Sequence, residues 1–322
     1  MHPDTYPRLV GDVGGTHARF GWLAAPDAPI SDMATYPNAA HAGLLDAMRH
    51  YLAQHAKPQP AWCAIGIANP VSGDHVQMTN LSWSFSIREL REALGLERLL
   101  VLNDFTALAL SLPGLGPGEL RAIGGGEARA GAPKALLGPG TGLGVSGLLP
   151  VPGGHWVAIN GEGGHATLAA GDDFEAEVIA VLRRRFEHVS AERALSGPGL
   201  ENLYEAVCTL AGRPAAVLGA PAIAQAALGG GDADCVAALE LFCALLGSVA
   251  GNLALALGAH GGVYIGGGIV PRLGDWFARS RFRECFVAKG RFRGYLDAMP
   301  TWVITAENPA LLGAARALDG PG

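Results

Sequence analysis

Residues 8–24 read RLVGDVGGTHARFGWLA, and the order of elements in this stretch decides the fold. Arg8–Val13 is apolar and β-like, Gly14-Gly15 turns the chain, and Ala18–Ala24 returns as a second strand with Phe20 and Trp22 on one side. A P-loop or a dinucleotide-binding turn runs from strand into helix; here strand runs into strand. Glycines without Cβ let backbone N–H groups approach phosphate oxygens, and the Thr16 hydroxyl adds a donor. Asp12, at the strand end, is a hard ligand suited to Mg²⁺, directly or through water. A plain hairpin is the alternative reading of Gly11, Asp12, Val13, Gly14, Gly15 and Thr16.

The plan recurs. Leu136-Leu137 leads into Gly138-Pro139-Gly140-Thr141-Gly142-Leu143-Gly144, and Val145–Leu149 is strand-like. Two such hairpins mark an internal duplication, too few copies for a solenoid. Facing each other across a cleft, they could grip one polyphosphate from both sides, and the pair is stronger evidence than either turn alone. Gly266-Gly267-Gly268 follows a buried strand and opens a helix. Glycine there lets a flat group such as adenine lie against the backbone, and a helix N-terminus suits phosphate; close strand–helix packing explains the same glycines.

Between these turns, helical patterns at His41–His55, Phe105–Leu112, Asp173–His188, Gly199–Leu210, Pro221–Leu228, Asp234–Leu257 and Pro309–Leu318 alternate with strands at Trp62–Ala68, Leu99–Leu102, Val263–Ile265 and Trp302–Thr305. The class is α/β with helix-covered sheets. Ser86-Ile87-Arg88-Glu89 is a capping box. The Gly- and Pro-rich segment Gly114–Gly131 reads as a domain junction. It separates a small domain over 1–114, onto which a C-terminal helix within 305–322 packs back, from a large domain over 115–304.

Asn103-Asp104 ends an apolar strand and starts a helix. Asp is a common N-cap, but the carboxyl ends of strands are where α/β sheets hold ligands. In the functional reading Asp104 accepts the proton of an attacking hydroxyl and Asn103 hydrogen-bonds a neighbouring one. Glu162 and His165, on the loop Gly161-Glu162-Gly163-Gly164-His165, suit sugar hydroxyls: carboxylates accept, and neutral imidazole does either. No third ligand nearby makes them a metal site. Glu192 looks like any helix glutamate.

Composition excludes several classes. Hydrophobic residues make up 49% and charged residues 16% of 322, with 47 glycines, which argues for a sizeable core and against disorder. The net charge of −6 repels nucleic acid. Cys63, Cys208, Cys235, Cys243 and Cys285 are scattered without metal spacing, as in a reduced, cytoplasmic chain. Met1–Val10 carries no secretory apolar run. From Leu241 to Pro271 there is no acidic or basic residue other than His260, yet Ser248, Asn252 and two glycines favour a buried helix feeding a buried strand over a membrane span.

Leu9–Arg19 (LVGDVGGTHAR), Met78–Ser86 (MTNLSWSFS), Asn103–Ala107 (NDFTA), Gly140–Val145 (GTGLGV), Gly161–His165 (GEGGH), His188–Tyr204 (HVSAERALSGPGLENLY) and Gly266–Arg272 (GGGIVPR) follow in order. Together they resemble bacterial-type glucokinases of the hexokinase–actin–Hsp70 ATPase superfamily, from Leu9 to about Arg316. The resemblance implies a two-lobed actin-like ATPase fold with duplicated ribonuclease-H-like sheets and an active-site cleft between lobes. By position, Asp104 matches the catalytic base, and Asn103, Glu162, His165 and Glu192 match glucose ligands. Gly11–Thr16, Gly140, Thr141, Gly142, Gly267 and Gly268 match the binding elements for ATP and Mg²⁺. The implied assembly is a cytoplasmic homodimer that phosphorylates glucose, with no nucleic-acid or membrane partner. Three residues depart from the pattern: His17 where Asn is frequent, Pro139 where a small residue is, and Asn160 where Pro is. Pro139 has no N–H to offer phosphate.

Two rival classes face the same residues. An actin- or Hsp70-like ATPase would lack the polar set Asn103, Asp104, Glu162 and His165. A sugar-sensing repressor would need a helix-turn-helix module, for which the few residues before the first strand and the negative charge leave no place.

Overall fold

The computed structural model describes residues 5–79 and 81–320. Asn80 of the MTNLSWSFS stretch, the first four residues of the N-terminal segment and the last two residues of the chain lie outside the described residues. Contacts divide the chain into two units: Met1–Gly116 with Val151–Asn160 and Ala306–Gly322, and Pro117–Pro150 with Gly161–Thr305.

In the first unit the strands are β1 (Arg8–Val13), β2 (His17–Leu23), β3 (Ser31–Pro37), β4 (Trp62–Ile67), β5 (His75–Gln77), β6 (Ser84–Ser86) and β7 (Arg98–Asn103). The main sheet runs β3-β2-β1-β4-β7, and β5-β6 is a separate hairpin. The β1–β2 and β2–β3 pairs are antiparallel; β1–β4 and β4–β7 are parallel. The central strands RLVGDV and WCAIGI are nearly continuous apolar runs and are buried, as strands covered on both faces must be. On one face pack Phe20, Met48, Tyr51, Ile65 and Ile67. Against another part of the unit the helix Pro309–Ala317 contributes Leu311, Ala314 and Ala315 to a cluster with Val10 and Ala64. Ser86 caps the helix Ile87–Ala93, its Oγ accepting from the Glu89 N–H at 3.1 Å.

Two features tie this unit together. Gly313 lies so close to the helix Asp104–Ser111 that a Cβ there would overlap the Ala107 carbonyl oxygen. Arg8, 2% exposed, donates to Asp319 Oδ1 at 2.7 Å and sits over the rings of Tyr6 and Trp62 at 4.0 and 5.1 Å. A buried guanidinium is tolerated because both its charge and its flat faces are matched.

The second unit repeats the plan. Its strands are β8 (Leu120–Gly124), β9 (Lys134–Pro139), β10 (Leu143–Val151), β12 (Val263–Ile265) and β13 (Thr301–Ile304), in the order β10-β9-β12-β13-β8; β11 (His155–Asn160) belongs by its contacts to the first unit. Residues 151–160 fall within the range 115–304 expected for the large domain. Contacts with the helix Asp104–Ser111, including Thr106 Oγ1 to Asn160 Oδ1 at 2.8 Å, group them otherwise. As in the first unit, an antiparallel hairpin (β9–β10) precedes parallel neighbours (β9–β12–β13). The shared topology is the duplication read from the two Gly/Thr turns.

The helix Ala233–Leu257 runs through the core of the second unit. By length and composition it could cross a membrane. Most of it is buried, from Cys235 through Ala254. Its glycines serve packing: a Cβ at Gly247 or Gly251 would overlap the carbonyl oxygen of Phe282 or Phe286. The helix reaches its caps at Asp232, whose side chain accepts from the N–H groups of Asp234 and Cys235, and at Gly258, in the left-handed region.

Candidate active site

Register gathers the first unit's site residues on one edge. Val13 pairs beside Ile67, and Ile67 beside Asn103, so three parallel strands end level. The Gly14–Thr16 turn, Asn69 and Asp104 all leave that carboxyl edge, where α/β sheets bind ligands. Gly66 in β4 allows the close approach: a Cβ there would meet the Asp104 Cα at 3.5 Å and Ala107 Cβ at 3.2 Å.

The helix cap falls one residue earlier than the sequence alternative suggested. Asn103 is the N-cap, its Oδ1 accepting from the N–H groups of Phe105 at 2.9 Å and Thr106 at 3.2 Å. Asp104 is the first helical residue, and its Oδ1 also accepts from the Phe105 N–H at 2.9 Å. The helix N-terminus favours its negative charge. With Asn103 Oδ1 engaged in capping, the amide Nδ2, 3.5 Å from the Asn69 carbonyl oxygen, is the group that can turn toward a ligand hydroxyl.

Asp12 stands opposite Arg19 across the β1–β2 hairpin, and Arg19 Nη1 donates to its Oδ2 at 3.3 Å. Burial pushes the Asp12 carboxyl above the ordinary Asp range, and Arg19 opposes this without cancelling it. Arg19 was not singled out from sequence. The signal was available in hairpin register, which sets Arg19 across from Asp12. His17, one of the three departures, places Nδ1 3.0 Å from the Thr16 hydroxyl, so it competes for that donor.

In the second unit Leu143 is the meeting point. Its N–H donates to Glu192 Oε2 at 2.8 Å. A Cβ on Gly164 would overlap its carbonyl oxygen, and a Cβ on Gly163 would crowd Val145 at 2.8 Å. The Glu162–His165 loop, Glu192 and the turn at 140–142 are therefore one assembly. The link continues through Ala191, whose N–H donates to the Ala166 carbonyl at 2.8 Å. Glu162 and His165 are exposed; Glu192 is half-buried.

Gly267 takes φ +77°, and a Cβ on it would overlap the Pro139 carbonyl oxygen, so the Gly266–Gly268 turn lies directly on the second hairpin. Together they open onto a cavity of about 640 Å³ lined by Gly140, Thr141, Pro198, Pro221, Ile269 and Arg272 among others. The helices Gly197–Leu210 and Ala220–Leu228, which wall it, were read from sequence as helices without a role. Gly140 donates its own N–H to the Gly142 carbonyl at 2.8 Å. With Pro139 lacking one, neither residue supplies a backbone donor to a ligand.

Two sheets of one topology, each with a Gly/Thr hairpin at its carboxyl edge, define the actin-like ATPase fold in the form that sugar kinases take. Comparison with known proteins agrees: the glucokinase family model matches residues 9–320. A glucokinase of Aromatoleum aromaticum is 60% identical over 317 residues, which is 98% of this chain and 96% of the relative. One of Chromobacterium violaceum is 54% identical over 316 residues, 98% of this chain and 90% of the relative. The crystal structure of a glucokinase from an Antarctic psychrotroph shares the fold with a TM-score of 0.90 at 39% identity, over 97% of this chain and 98% of that one. The chain belongs to the glucokinase family.

Proposed function

We propose that this protein transfers the γ-phosphoryl group of ATP to the 6-hydroxyl of D-glucose, the first step of glycolysis, with Asp104 as the base. The observation that carries the reading is Asp104 at the tip of a parallel strand, on the edge that also bears the Gly14–Thr16 turn. Asp104 orients the 6-hydroxyl and takes its proton as the phosphoryl group moves in line through a loose transition state. Asn103 Nδ2 donates to a neighbouring hydroxyl. Glu162, His165 and Glu192 bind further hydroxyls, and the Glu192 contact with the Leu143 N–H couples that set to the second hairpin. The cavity beside Thr141 and Gly268 takes adenine between the backbone and the two helices. Because the transition state needs little covalent help, positioning contributes more than basicity.

Among the described residues no cluster of three or more His, Cys, Asp or Glu could hold a metal. Mg²⁺ keeps several waters and binds through one or two carboxylates and substrate phosphates. Asp12 is the residue that would hold it, and the ion would neutralise phosphate charge there. Cytoplasmic location and homodimeric assembly are carried by the family resemblance alone.

The direct test is an ADP-release assay over a panel of sugars and phosphoryl donors. Expected are glucose-dependent release with ATP and weak hydrolysis without sugar, because closure keeps water from the γ-phosphate. Galactose should be a poor substrate, since a site that hydrogen-bonds each hydroxyl rejects a misplaced one. Fast sugar-independent hydrolysis, or galactose turned over as fast as glucose, would overturn the assignment.

Asp12 gives a test with two readouts. Its folded pKa lies above the unfolded value, so the native chain holds this proton more tightly. The ionised carboxylate therefore costs stability near neutral pH, and the cost is relieved as pH falls through the folded pKa. Asp12→Asn is expected to raise Tm at pH 7 in the absence of ligands, measured by scanning calorimetry, while activity falls about 10–100-fold. A lower Tm with full activity would contradict both parts.

A further inference from the structure

Asn38 follows β3 and opens the short turn Asn38–Ala40; it is 2% exposed. From there it reaches the first Gly/Thr hairpin twice. Its Nδ2 donates to the Gly14 carbonyl at 2.8 Å, and its backbone N–H donates to the Thr16 carbonyl at 2.9 Å. One residue from a neighbouring strand thus holds both flanks of Gly14-Gly15-Thr16. Meanwhile its Oδ1 is buried with no hydrogen-bond partner.

That orphaned oxygen argues about purpose. A buried polar atom left unpaired is destabilising, and an apolar side chain of the same volume would avoid the penalty. Core packing alone therefore does not account for an amide at this position. What the amide does supply is direction. A trans peptide is planar, with its C=O and N–H pointing opposite ways. Drawing the Gly14 carbonyl toward Asn38 turns the N–H of Gly15, in the same peptide plane, to the other side. The neighbouring Gly14 N–H is already engaged by the His17 carbonyl at 3.0 Å, so Gly15 is the donor whose aim this contact sets. Glycine at 14 and 15 leaves the peptide plane otherwise able to rotate, so the turn needs an external hold.

We propose that Asn38 is a positioning residue for phosphoryl transfer, aiming the Gly15 N–H at a phosphate of the nucleoside triphosphate by holding the Gly14 carbonyl from behind. It touches neither nucleotide nor sugar. The proposal rests on the reading of this hairpin as a phosphate site, and the experiment separates the two.

The measurement is ATP and glucose affinity by calorimetry, with kcat and both KM values, for the wild-type chain, Asn38→Leu and Asn38→Asp. In Asn38→Leu the hold is lost and the orphaned oxygen removed. ATP affinity should fall about tenfold, the worth of roughly one hydrogen bond, with glucose affinity unchanged and Tm equal or higher. In Asn38→Asp the carboxylate would face the Gly14 carbonyl without a proton to donate. ATP affinity, relative to wild type at each pH, should be weak near pH 8 and recover as acidification protonates the carboxyl and restores a donor. A residue that merely filled space would show no such pH-dependent ratio. Should Asn38→Leu fail to fold, the pH profile of Asn38→Asp decides alone. A wild-type enzyme that binds ATP and phosphorylates glucose, with both variants matching its ATP affinity across pH, would overturn the proposal and leave the kinase reading standing. A wild-type chain that binds no nucleotide would overturn both.

Discussion

Asp104→Ala is expected to slow turnover by about 10²–10⁴-fold, the usual contribution of a general base, without unfolding the protein. The local structure explains why chemistry and stability separate here. Asn103 caps the helix through two N–H groups, so the cap survives the substitution. The Phe105 N–H that Asp104 Oδ1 receives is one that Asn103 Oδ1 also receives, so no donor is orphaned. Alanine at the first helical position is itself a good helix former. Steady-state kinetics alongside thermal unfolding check the prediction. Asp104→Asn, which keeps the shape and removes the basicity, should lie between the wild type and the alanine variant if positioning dominates. A folded Asp104→Ala protein with near-normal turnover would sink the proposed role.

Gly313→Val should be the most damaging change far from any ligand. The helix Pro309–Ala317 lies against the helix Asp104–Ser111, and a Cβ at 313 would overlap the Ala107 carbonyl oxygen and come within 2.6 Å of its carbon and 3.1 Å of the Ser111 nitrogen. All three are backbone atoms, so no side chain can swing aside and the helices must part. Overpacking of this kind costs about 1–3 kcal/mol, occasionally more. The displaced helix begins with Asp104, the proposed base, and a shift of about 1 Å at such a group can cost about 10²-fold in rate. Calorimetry should show a lower Tm, and kinetics a fall in kcat with little change in the KM for ATP. Wild-type values of both Tm and kcat would show that the helices accommodate the side chain.

Which parts of this architecture were legible from sequence follows from their physics. The β1–β2 and β9–β10 hairpins announce themselves because a Gly/Thr turn between apolar runs leaves few other conformations. The buried strand WCAIGI and the half-buried edge strand RLLVLN are apolar enough to read directly. The β3 strand SDMATYP was missed: its residues are mostly exposed, so no alternation marks it. β8 went unread because LRAIG sits inside a Gly- and Pro-rich stretch that looks like a linker. The helix expected over Asp173–His188 stops at Leu182, where the chain turns at Arg183-Arg184-Arg185.

The site divides the same way. Asp104 was visible as a polar residue at the end of an apolar strand. Glu192 was assigned through resemblance to known kinases and not through its surroundings. Its bond to the Leu143 N–H spans 49 positions, and no local pattern encodes such a pairing. Asn38 escaped notice for the same reason: its partner Gly14 is 24 positions away. The departure at residue 160 is likewise explained only in three dimensions, by the Thr106 hydroxyl that its side chain receives.

The Arg8–Asp319 pair has an architectural corollary. Residues 311 positions apart in the chain are in direct contact within one unit. Removing the Asp319 carboxylate would therefore leave a buried guanidinium at the start of β1 without its counter-charge, so the last helical segment and the first strand stand or fall together.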